Sequence, residues 1–283
     1  MNLRYINEKI GFSLLRLCML IVVFILAVIL WDIVSKGKSV LSWEFLTQNP
    51  QKGMTEGGIY PVIIGTILVT IFTAVFSIPL GMGCAIYLNE YATDNKFTRF
   101  IRMSIRNLSG VPSIVYGLFG LIVFVQMMHL NTSVLAAGFT LGLMTLPWTI
   151  TASEEALKTV PISYREGALA LGASKWQSIR TNVLPYALPG MLTGTILGLA
   201  RAAGETAPIL FTGAAFFYPL MPTPKSQFMA LPYHLYVMST QHHAISKVRP
   251  IAYGTALVLI VLVFSMNLFA IIIRYRLRKI RHD

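Results

Sequence analysis

The amino-acid sequence predicts an all-α integral membrane protein with six transmembrane helices. Of its 283 residues, 55% are hydrophobic and only 12% are charged, and the mean hydropathy is +0.67. A soluble domain usually has about a quarter charged residues. A disordered chain is rich in charge and poor in aromatic residues, whereas aromatic residues make up 11% of this chain. Membrane-spanning helices are therefore the expectation, and long charge-free stretches support it.

Charged residues divide the chain into a few long apolar stretches. A helix that crosses the ~30 Å hydrocarbon core needs roughly 20 mostly apolar residues. The charge-free stretch 107–153 is too long for one helix, and the turn-like segment 130–133 divides it. The fifth stretch contains Arg201 and Glu205 but is otherwise apolar. The six spans are predicted near residues 14–34, 57–89, 111–128, 133–151, 189–212 and 250–273.

The distribution of lysine and arginine predicts which side of the membrane each loop faces. An even number of spans places both termini on one side, and sixteen of the 23 cations lie on that side, against six on the other. Cationic loops remain in the cytoplasm, so we expect cytoplasmic N and C termini. The net charge of +12 then reflects topology and not nucleic-acid binding. The sixteen are Arg4, Lys9, Arg16, Lys96, Arg99, Arg102, Arg106, Lys158, Arg165, Lys175, Arg180, Arg274, Arg276, Arg278, Lys279 and Arg281, and the six are Lys36, Lys38, Lys52, Lys225, Lys247 and Arg249.

A single membrane domain is expected over residues 1–283, with a first span near 14–34 and a helical core near 57–273. No small-residue cleavage site follows the first apolar run, so we expect an uncleaved span and not a signal peptide. Cys18 and Cys84 lie in predicted spans, so the sequence predicts neither a disulfide framework nor a metal site.

The loop between the fourth and fifth spans, 151–188, has the composition of a short, bounded helix. Ser163 and Glu166 have the three-residue spacing of a capping box, small helix-forming residues follow, and Gly172 is placed to end the helix. Two interpretations fit this pattern. The helix either lies among the lipid headgroups or docks in a groove of a cytoplasmic partner and passes on its motion.

The run Glu166-Gly167-Ala168, followed by Gly172 and then by Asn182-Val183-Leu184-Pro185, resembles the signature loop of binding-protein-dependent ABC importer permeases. That pattern is Glu-Ala-Ala, three residues, Gly, nine residues, Ile, one residue, Leu-Pro, from which Gly167 and Asn182 depart mildly. The resemblance implies a coupling helix that sits in a cleft of a separate ATPase subunit. The coupling residues that it implies are Tyr164, Glu166, Gly167, Ala168, Gly172, Leu184 and Pro185.

Arg201 and Glu205 form a charged pair within the fifth predicted span. Four residues apart, they share one face of a helix. At ~1.5 Å per residue from Pro189, Arg201 lies about 18 Å into the span, near its centre. A charge there costs about 2.5–3.5 kcal/mol, so it normally faces protein or water. Gly204 and Pro208 on the same helix predict close packing and a bend.

Two interpretations of this pair remain open. In the first, the charges neutralise each other and help helices to pack. In the second, they line an anion path, because a guanidinium offers paired donors that match a tetrahedral oxyanion. Glu205 then holds Arg201 while the path is empty and prevents the anion from being trapped, since conduction requires binding weak enough for release.

The segment 198–208, which ends in Glu205-Thr206-Ala207-Pro208, resembles the phosphate-specific ABC importer permeases, and its ending is similar to the A subunit rather than the C subunit. Segments 57–66, 87–91 and 112–117 resemble the same family. The resemblance implies an inner-membrane permease for inorganic phosphate, with Arg201, Glu205 and Thr206 along the path. It also implies a homologous C-subunit permease as partner, two copies of an ATPase that carries ATP and Mg, and an external phosphate-binding protein.

Other functions remain open on the sequence alone. The same architecture serves an importer of sulfate, molybdate or phosphonate. An ion-driven secondary transporter that acts alone is a further alternative, although such proteins commonly show internal symmetry and the sequence shows none. A membrane scaffold or sensor without transport is the third, in which Arg201 and Glu205 are structural only.

Several motifs are assigned no chemistry. The sequence has no Gly-rich Lys-Ser/Thr phosphate loop and no Ser or Cys nucleophile with a partnered base, so we expect neither enzyme activity nor a bound cofactor. Glu154 and Glu155 are interpreted as a solvated stretch of cytoplasmic helix. His234, His242 and His243 are expected on external segments, and docking of the binding protein on 35–56 and 213–250 is the expected use of that surface.

Overall fold

The computed structural model describes residues 3–279, and the side chains of residues 9–276 within them. This range is mostly helical, apart from connecting loops and one antiparallel hairpin of β1 (Pro50–Gln51) and β2 (Glu56–Gly57) around the 3₁₀ turn Lys52–Met54. Short π-helical stretches cover Tyr87–Tyr91, Leu121–Met127 and Ile179–Val183. The α-helices are α1 (Leu3–Gly37), α2 (Trp43–Thr47), α3 (Tyr60–Ile86), α4 (Lys96–Leu108), α5 (Ser113–Gly120), α6 (Val134–Lys158), α7 (Ile162–Ala170), α8 (Lys175–Ser178), α9 (Leu184–Ala202), α10 (Ala207–Thr212), α11 (Leu231–Thr240) and α12 (Ile245–Lys279).

Among the described residues, five helical segments are long and apolar enough to cross a membrane. They cover Lys9–Gly37, Tyr60–Tyr91, Val134–Lys158, Lys175–Ala202 and Ile245–Arg276. A sixth candidate is the pair α4 and Ser113–Met127, which meet at a bend of 101°. Counted as one span, this pair completes the predicted set of six.

The bend of 101° has a local cause in the sequence. The helix α4 begins at an Asn95 cap, whose side chain accepts a hydrogen bond of 2.8 Å from the backbone N–H of Thr98. It ends before Ser109-Gly110, and Pro112 follows, which disfavours helical backbone at the residue before it. Only the second arm, Ser113–Met127, corresponds to the predicted span 111–128.

The predicted fifth span, 189–212, is not one helix. Helix α9 already begins at Leu184 and ends at Ala202, and α10 resumes the helix at Ala207. The break follows from two residues. Gly204 has the weakest helical preference after proline, and the Pro208 ring clashes with the carbonyl four residues earlier in a continuous helix, which is that of Gly204. The predicted bend is therefore a complete interruption.

Helix α6 lies at the centre of the bundle, between α3 and α9. A Cβ atom on Gly190, Gly194 or Gly198 of α9 lies within 3 Å of a side-chain atom of α6. The α6 partners are Ala156, Ala152 and Trp148 in that order, so the two helices run antiparallel. Small residues at this spacing allow helix backbones to approach closely in membranes, where packing replaces the hydrophobic effect.

Helix α1 contains the predicted first span and contacts mainly α12 among the described helices. A Cβ on Gly37 falls 2.8 Å from the carbonyl oxygen of Tyr253, which shows how closely the two helices approach. Residues 9–31 of α1 are exposed. Of the cations used to predict topology, Arg281 and the side chains of Arg4, Arg278 and Lys279 lie outside the described residues.

Two of the three histidines assigned to an external surface make internal contacts. His234 is buried, and its Nδ1 lies 3.2 Å from the hydroxyl of Thr255; burial lowers the pKa of His234 to about 4. The Nε2 atom of His242 lies 2.8 Å from the carbonyl oxygen of Gly53 in the hairpin turn. Within the described residues, no group of three or more His, Cys, Asp or Glu side chains is placed to hold a metal ion.

Candidate substrate path and coupling helix

The break between α9 and α10 carries the charged pair. Arg201 occupies the last turn of α9, and irregular backbone follows through Glu205 to Thr206. Turn-type hydrogen bonds close the break: the N–H of Gly204 donates to the carbonyl of Arg201, and that of Glu205 donates to the carbonyl of Ala202. The prediction that Arg201 and Glu205 share one helical face is therefore wrong, because the helix ends before Glu205.

The depth of Arg201 follows from the antiparallel packing of α9 on α6. Gly198 meets Trp148, and Arg201 shares a cavity with Met144, Thr145 and Trp148. These three residues lie near the midpoint of α6, which runs from Val134 to Lys158. The structure thus places Arg201 level with the middle of a spanning helix, as the sequence predicts, although its own helix ends there.

The two charges remain close across the break. Arg201 Nε lies 3.6 Å from Glu205 Oε1, and the side chains are 69% and 20% exposed. The Arg201 guanidinium is therefore largely exposed, and Glu205 lies on one side of it.

The open side of Arg201 faces a cavity of ≈ 250 Å³. A cavity needs roughly 10–15 Å³ to hold one water, so this one has room for a small hydrated anion. Its far wall is the corner between α4 and α5, residues 108–113, together with Tyr116. The buried Tyr116 hydroxyl donates a 2.8 Å hydrogen bond to the carbonyl of Leu108 and so fixes that corner.

Thr206 lies at the other end of the break, where α10 begins. Its carbonyl accepts a hydrogen bond from the N–H of Leu210, but its side chain does not cap the helix. Helix α10 packs on α5, where a Cβ on Gly117 falls about 3.0 Å from Pro208 and Phe211. Thr206 is only partly exposed and does not line the cavity beside Arg201.

The predicted helix in the loop 151–188 is present as α7, with a different start. It begins at Ile162 after Pro161, and Ser163 lies inside the helix, so the predicted capping box of Ser163 and Glu166 does not form. Pro161 therefore occupies the N-cap position, and no side chain caps the first turn of α7. A capping box forms instead at α8, between Ser174 and Gln177.

Gly172 ends α7 as predicted. Its φ of +83° lies in the left-handed region, where a side chain is strained. The N–H of Gly172 donates to the carbonyl of Leu169, and that of Ala173 to the carbonyl of Ala168. This pair of hydrogen bonds is the Schellman motif.

Two side chains fasten α7 to the membrane helices. The ring of Tyr164 meets the ring of Tyr186 edge to face, at 5.2 Å between centroids. Arg165 Nη2 lies 2.7 Å from Glu90 Oε1, and the same guanidinium donates to the carbonyls of Leu157 and Val160. Helix α7 is thereby attached to the ends of α3 and α6 as well as to α9.

The other residues of the signature loop are exposed, lie beneath the exposed ones, or begin the next helix. Glu166, Gly167 and Leu169 are exposed, and Leu171 is 91% exposed, whereas Ala168 is buried beneath them. Leu184 and Pro185 begin α9. Helix α7 is therefore anchored on one side by Tyr164 and Arg165 and exposes apolar side chains, Leu169 and Leu171, elsewhere on its surface.

The sequence reasoning missed two ion pairs that organise this region. Glu90 pairs with Arg165, and Glu154 lies 2.9 Å from Arg102 Nε on α4. Glu154 is buried, so the interpretation of Glu154 as a solvated residue is wrong, while the neighbouring Glu155 is exposed as expected. The position of Glu154 at the end of an apolar helix could have indicated a buried ion pair. Its partner, Arg102, is distant in the sequence and could not be identified from it.

A spanning helix that is interrupted beside a cavity is typical of membrane transport proteins, in which irregular backbone at membrane depth lines a water-filled space or a binding site. Comparison with known proteins supports that class. A family described as "Binding-protein-dependent transport system inner membrane component" matches residues 77–279. The chain belongs to this family of inner-membrane permease components.

Several permease proteins from different organisms align with most of the chain. A "Probable ABC transporter permease protein YqgI" of Bacillus subtilis is 32% identical, over 94% of this chain and 95% of the relative. A "Phosphate transport system permease protein PstA 1" of Mycobacterium tuberculosis is 32% identical, over 87% and 80%. A "Probable phosphate transport system permease protein PstA" of Methanocaldococcus jannaschii is 32% identical, over 98% and 96%.

Solved structures share the fold. A chain of a bacterial alginate ABC transporter, in complex with its pentasaccharide-bound periplasmic protein, superposes with a TM-score of 0.67 at 13% identity, over 93% of both chains. A chain of the inward-facing MetNI methionine ABC transporter gives a TM-score of 0.60 at 18% identity, over 78% of this chain and 94% of that one. At these identities the likeness concerns the fold alone.

Proposed function

We propose that this chain is a transmembrane permease subunit of an ATP-driven importer of inorganic phosphate. The observation that carries the proposal is the open guanidinium of Arg201 in the break between α9 and α10, 69% exposed and 3.6 Å from Glu205. Relatives at 32% identity are named as phosphate transport permeases, and a guanidinium matches the geometry of a phosphate oxyanion.

The break provides a site that binds and releases the anion. Arg201 receives phosphate in the cavity beside Thr145 and Tyr116, and Glu205 returns to Arg201 when phosphate leaves. The competing carboxylate keeps phosphate binding weak, as passage requires. Thr206 lies beyond the cavity wall and assists as a neutral group further along the path.

Coupling to ATP passes through α7. An ATPase that binds Leu171 and Glu166 moves α7. The contacts of Tyr164 and Arg165 then transmit that movement to the ends of α9, α3 and α6. Because α9 leads directly to Arg201, a tilt of α9 changes the side to which the cavity opens.

The proposed assembly contains more than this chain. We propose one permease domain over residues 1–283 with cytoplasmic termini, paired with a homologous C-subunit permease. Two copies of an ATPase bind beneath and hold ATP and Mg, and an external phosphate-binding protein docks above. This chain itself catalyses no reaction and binds no cofactor in this scheme.

Uptake of labelled phosphate at limiting concentration tests the proposal, in cells that lack this subunit. Wild type restores uptake, and Arg201→Gln does not, at equal membrane levels. Arg201→Lys keeps the charge but loses the paired donors, so it restores less than wild type, and Lys38→Gln serves as a control cation away from the cavity. Full activity of Arg201→Gln contradicts the assigned path.

Another oxyanion is the second candidate, since guanidinium geometry also suits sulfate, molybdate and phosphonate. Competition by each oxyanion against labelled phosphate discriminates these substrates. A stand-alone secondary transporter is disfavoured by membership of a family whose transport depends on a binding protein.

A further inference from the structure

Two adjoining cavities lie where the end of α1 meets the start of α12 and share no lining residue with the cavity beside Arg201. The first has a volume of ≈ 410 Å³ and is lined mainly by residues with polar groups, which are Lys36, Ser39, Ser246, Arg249 and Tyr253, together with Pro250. The second has a volume of ≈ 640 Å³ and shares Ser246, Arg249 and Tyr253 with the first. Its other walls are mostly apolar and include Ile33, Leu235, Met238, Ala252 and Ala256.

The polar and apolar linings are separated along the direction of the helices. On α12, Ser246 and Arg249 come first, and Tyr253 and Ala256 follow one and two turns further into the span. From Arg249 to Ala256 the helix rises about 10 Å. The site therefore has a polar head at the end of the spans and an apolar cleft that extends toward their middle.

The charged groups at the polar cavity carry one excess positive charge, because Arg249 interacts with Asp32 only beyond ion-pair distance. Lys36 forms an ion pair with Asp32, and its Nζ lies 5.0 Å from the centroid of the Tyr253 ring. Among the described residues, no carboxylate lies within ion-pair distance of Arg249. Lys36, Arg249 and Asp32 together carry a net charge of +1, which complements a singly charged phosphodiester.

We propose that these cavities form a binding site for an anionic glycerophospholipid. Arg249 and Lys36 hold the phosphodiester, the hydroxyls of Ser39 and Ser246 surround it, and an acyl chain lies in the cleft beside Ala252 and Ala256. A free phosphate ion fits the polar cavity but leaves the larger apolar cleft unfilled. Both α1 and α12 are membrane-spanning candidates, so the cleft is reached from the bilayer. The site is independent of the proposed phosphate path.

Lipid retention by the complete, purified transporter tests the site. Native mass spectrometry counts bound phospholipid after detergent exchange and after titration with phosphatidylglycerol. Arg249→Gln removes the excess positive charge, and Ala256→Phe fills the apolar cleft without changing charge. Lys247→Gln is the matched control, because Lys247 is exposed on the same helix and lines neither cavity.

We expect wild type and Lys247→Gln to retain phosphatidylglycerol equally. Arg249→Gln retains it roughly tenfold less tightly, on the scale of a charge-assisted hydrogen bond, and Ala256→Phe also loses it. Inorganic phosphate added in excess displaces none. Unchanged retention in both variants contradicts the proposed site. A wild-type complex that retains no lipid also contradicts it, and a helix of a partner subunit then fills the cleft. Displacement by inorganic phosphate identifies an ion site instead.

Discussion

Arg165 on helix α7 donates hydrogen bonds to both carboxylate oxygens of Glu90, which follows the end of α3. Its Nη2 lies 2.7 Å from Oε1, and its Nε lies 3.1 Å from Oε2. The Glu90 side chain is 5% exposed and that of Arg165 is 22% exposed, so the pair is largely removed from water. The same Glu90 oxygen accepts a hydrogen bond from Asn89. Helix α7 and α3 are thereby coupled through one well-aligned ion pair.

Arg165→Met is expected to destabilise the coupling region by about 3 kcal/mol. Removal of the cation leaves the Glu90 carboxylate buried and uncompensated, which is much more costly than removal of an exposed pair. The apparent unfolding temperature of the solubilised transporter falls, and ATP hydrolysis no longer responds to the binding protein.

The double variant Glu90→Gln/Arg165→Met measures how much of the lost stability is due to the ion pair itself and not to the other contacts of Arg165. Since removal of both charges leaves no buried ion, the double variant is more stable than the sum of the single effects predicts. Additive losses show instead that Arg165 acts through the carbonyls of Leu157 and Val160 and not through Glu90.

The adjacent residues Glu154 and Glu155 provide a matched comparison on α6. Glu154 Oε1 and Arg102 Nε are buried 2.9 Å apart, in the geometry of an ion pair and not of an aligned hydrogen bond. Glu155 is 66% exposed and pairs with Lys158. Glu154→Gln is therefore expected to cost about 1–3 kcal/mol, and Glu155→Gln less than about 0.5 kcal/mol. Thermal unfolding of the two solubilised variants measures the difference, and equal shifts rule out the burial argument.

Two glycines of the signature loop are expected to respond in opposite directions to alanine. Gly172 has a φ of +83°, so Gly172→Ala strains the backbone by about 1–2 kcal/mol. Gly167 lies inside α7 with no heavy atom within 4 Å of an added Cβ, so Gly167→Ala stabilises the helix by about 1 kcal/mol. Proteolytic protection of the loop reports both effects. A loss of protection in Gly167→Ala contradicts the open space above α7.

The positions of the spans were predictable because burial in a membrane requires a nearly charge-free stretch of fixed length. Breaks within spans were harder to predict. Gly204 and Pro208 indicated a bend in the fifth span, but not the length of the interruption, in which α9 stops at Ala202 and α10 begins only at Ala207. The basic segment 96–108 was assigned to a loop, although it forms the amphipathic helix α4.

The site was predictable where a residue acts alone and not where it needs a distant partner. Arg201 is a charge in an apolar stretch, and Gly172 ends a short helix, so each carries its own signal. Ser163 and Glu166 also have the spacing of a capping box, but α7 begins before Ser163, at Ile162 after Pro161. Glu90 and Arg165 are far apart in the chain, and nothing in one sequence joins them.

Glu205→Gln is expected to make the site bind phosphate more tightly and release it more slowly. With the carboxylate gone, Arg201 loses the partner 3.6 Å away, so phosphate has no competitor for the guanidinium. Retention of labelled phosphate by the reconstituted transporter without ATP then rises roughly threefold to tenfold, the scale of an exposed ion pair of about 1 kcal/mol. The maximal uptake rate falls because release becomes slow. Glu155→Gln serves as the control, and Arg201→Gln/Glu205→Gln abolishes the extra retention. Unchanged retention in Glu205→Gln assigns the pair to helix packing alone.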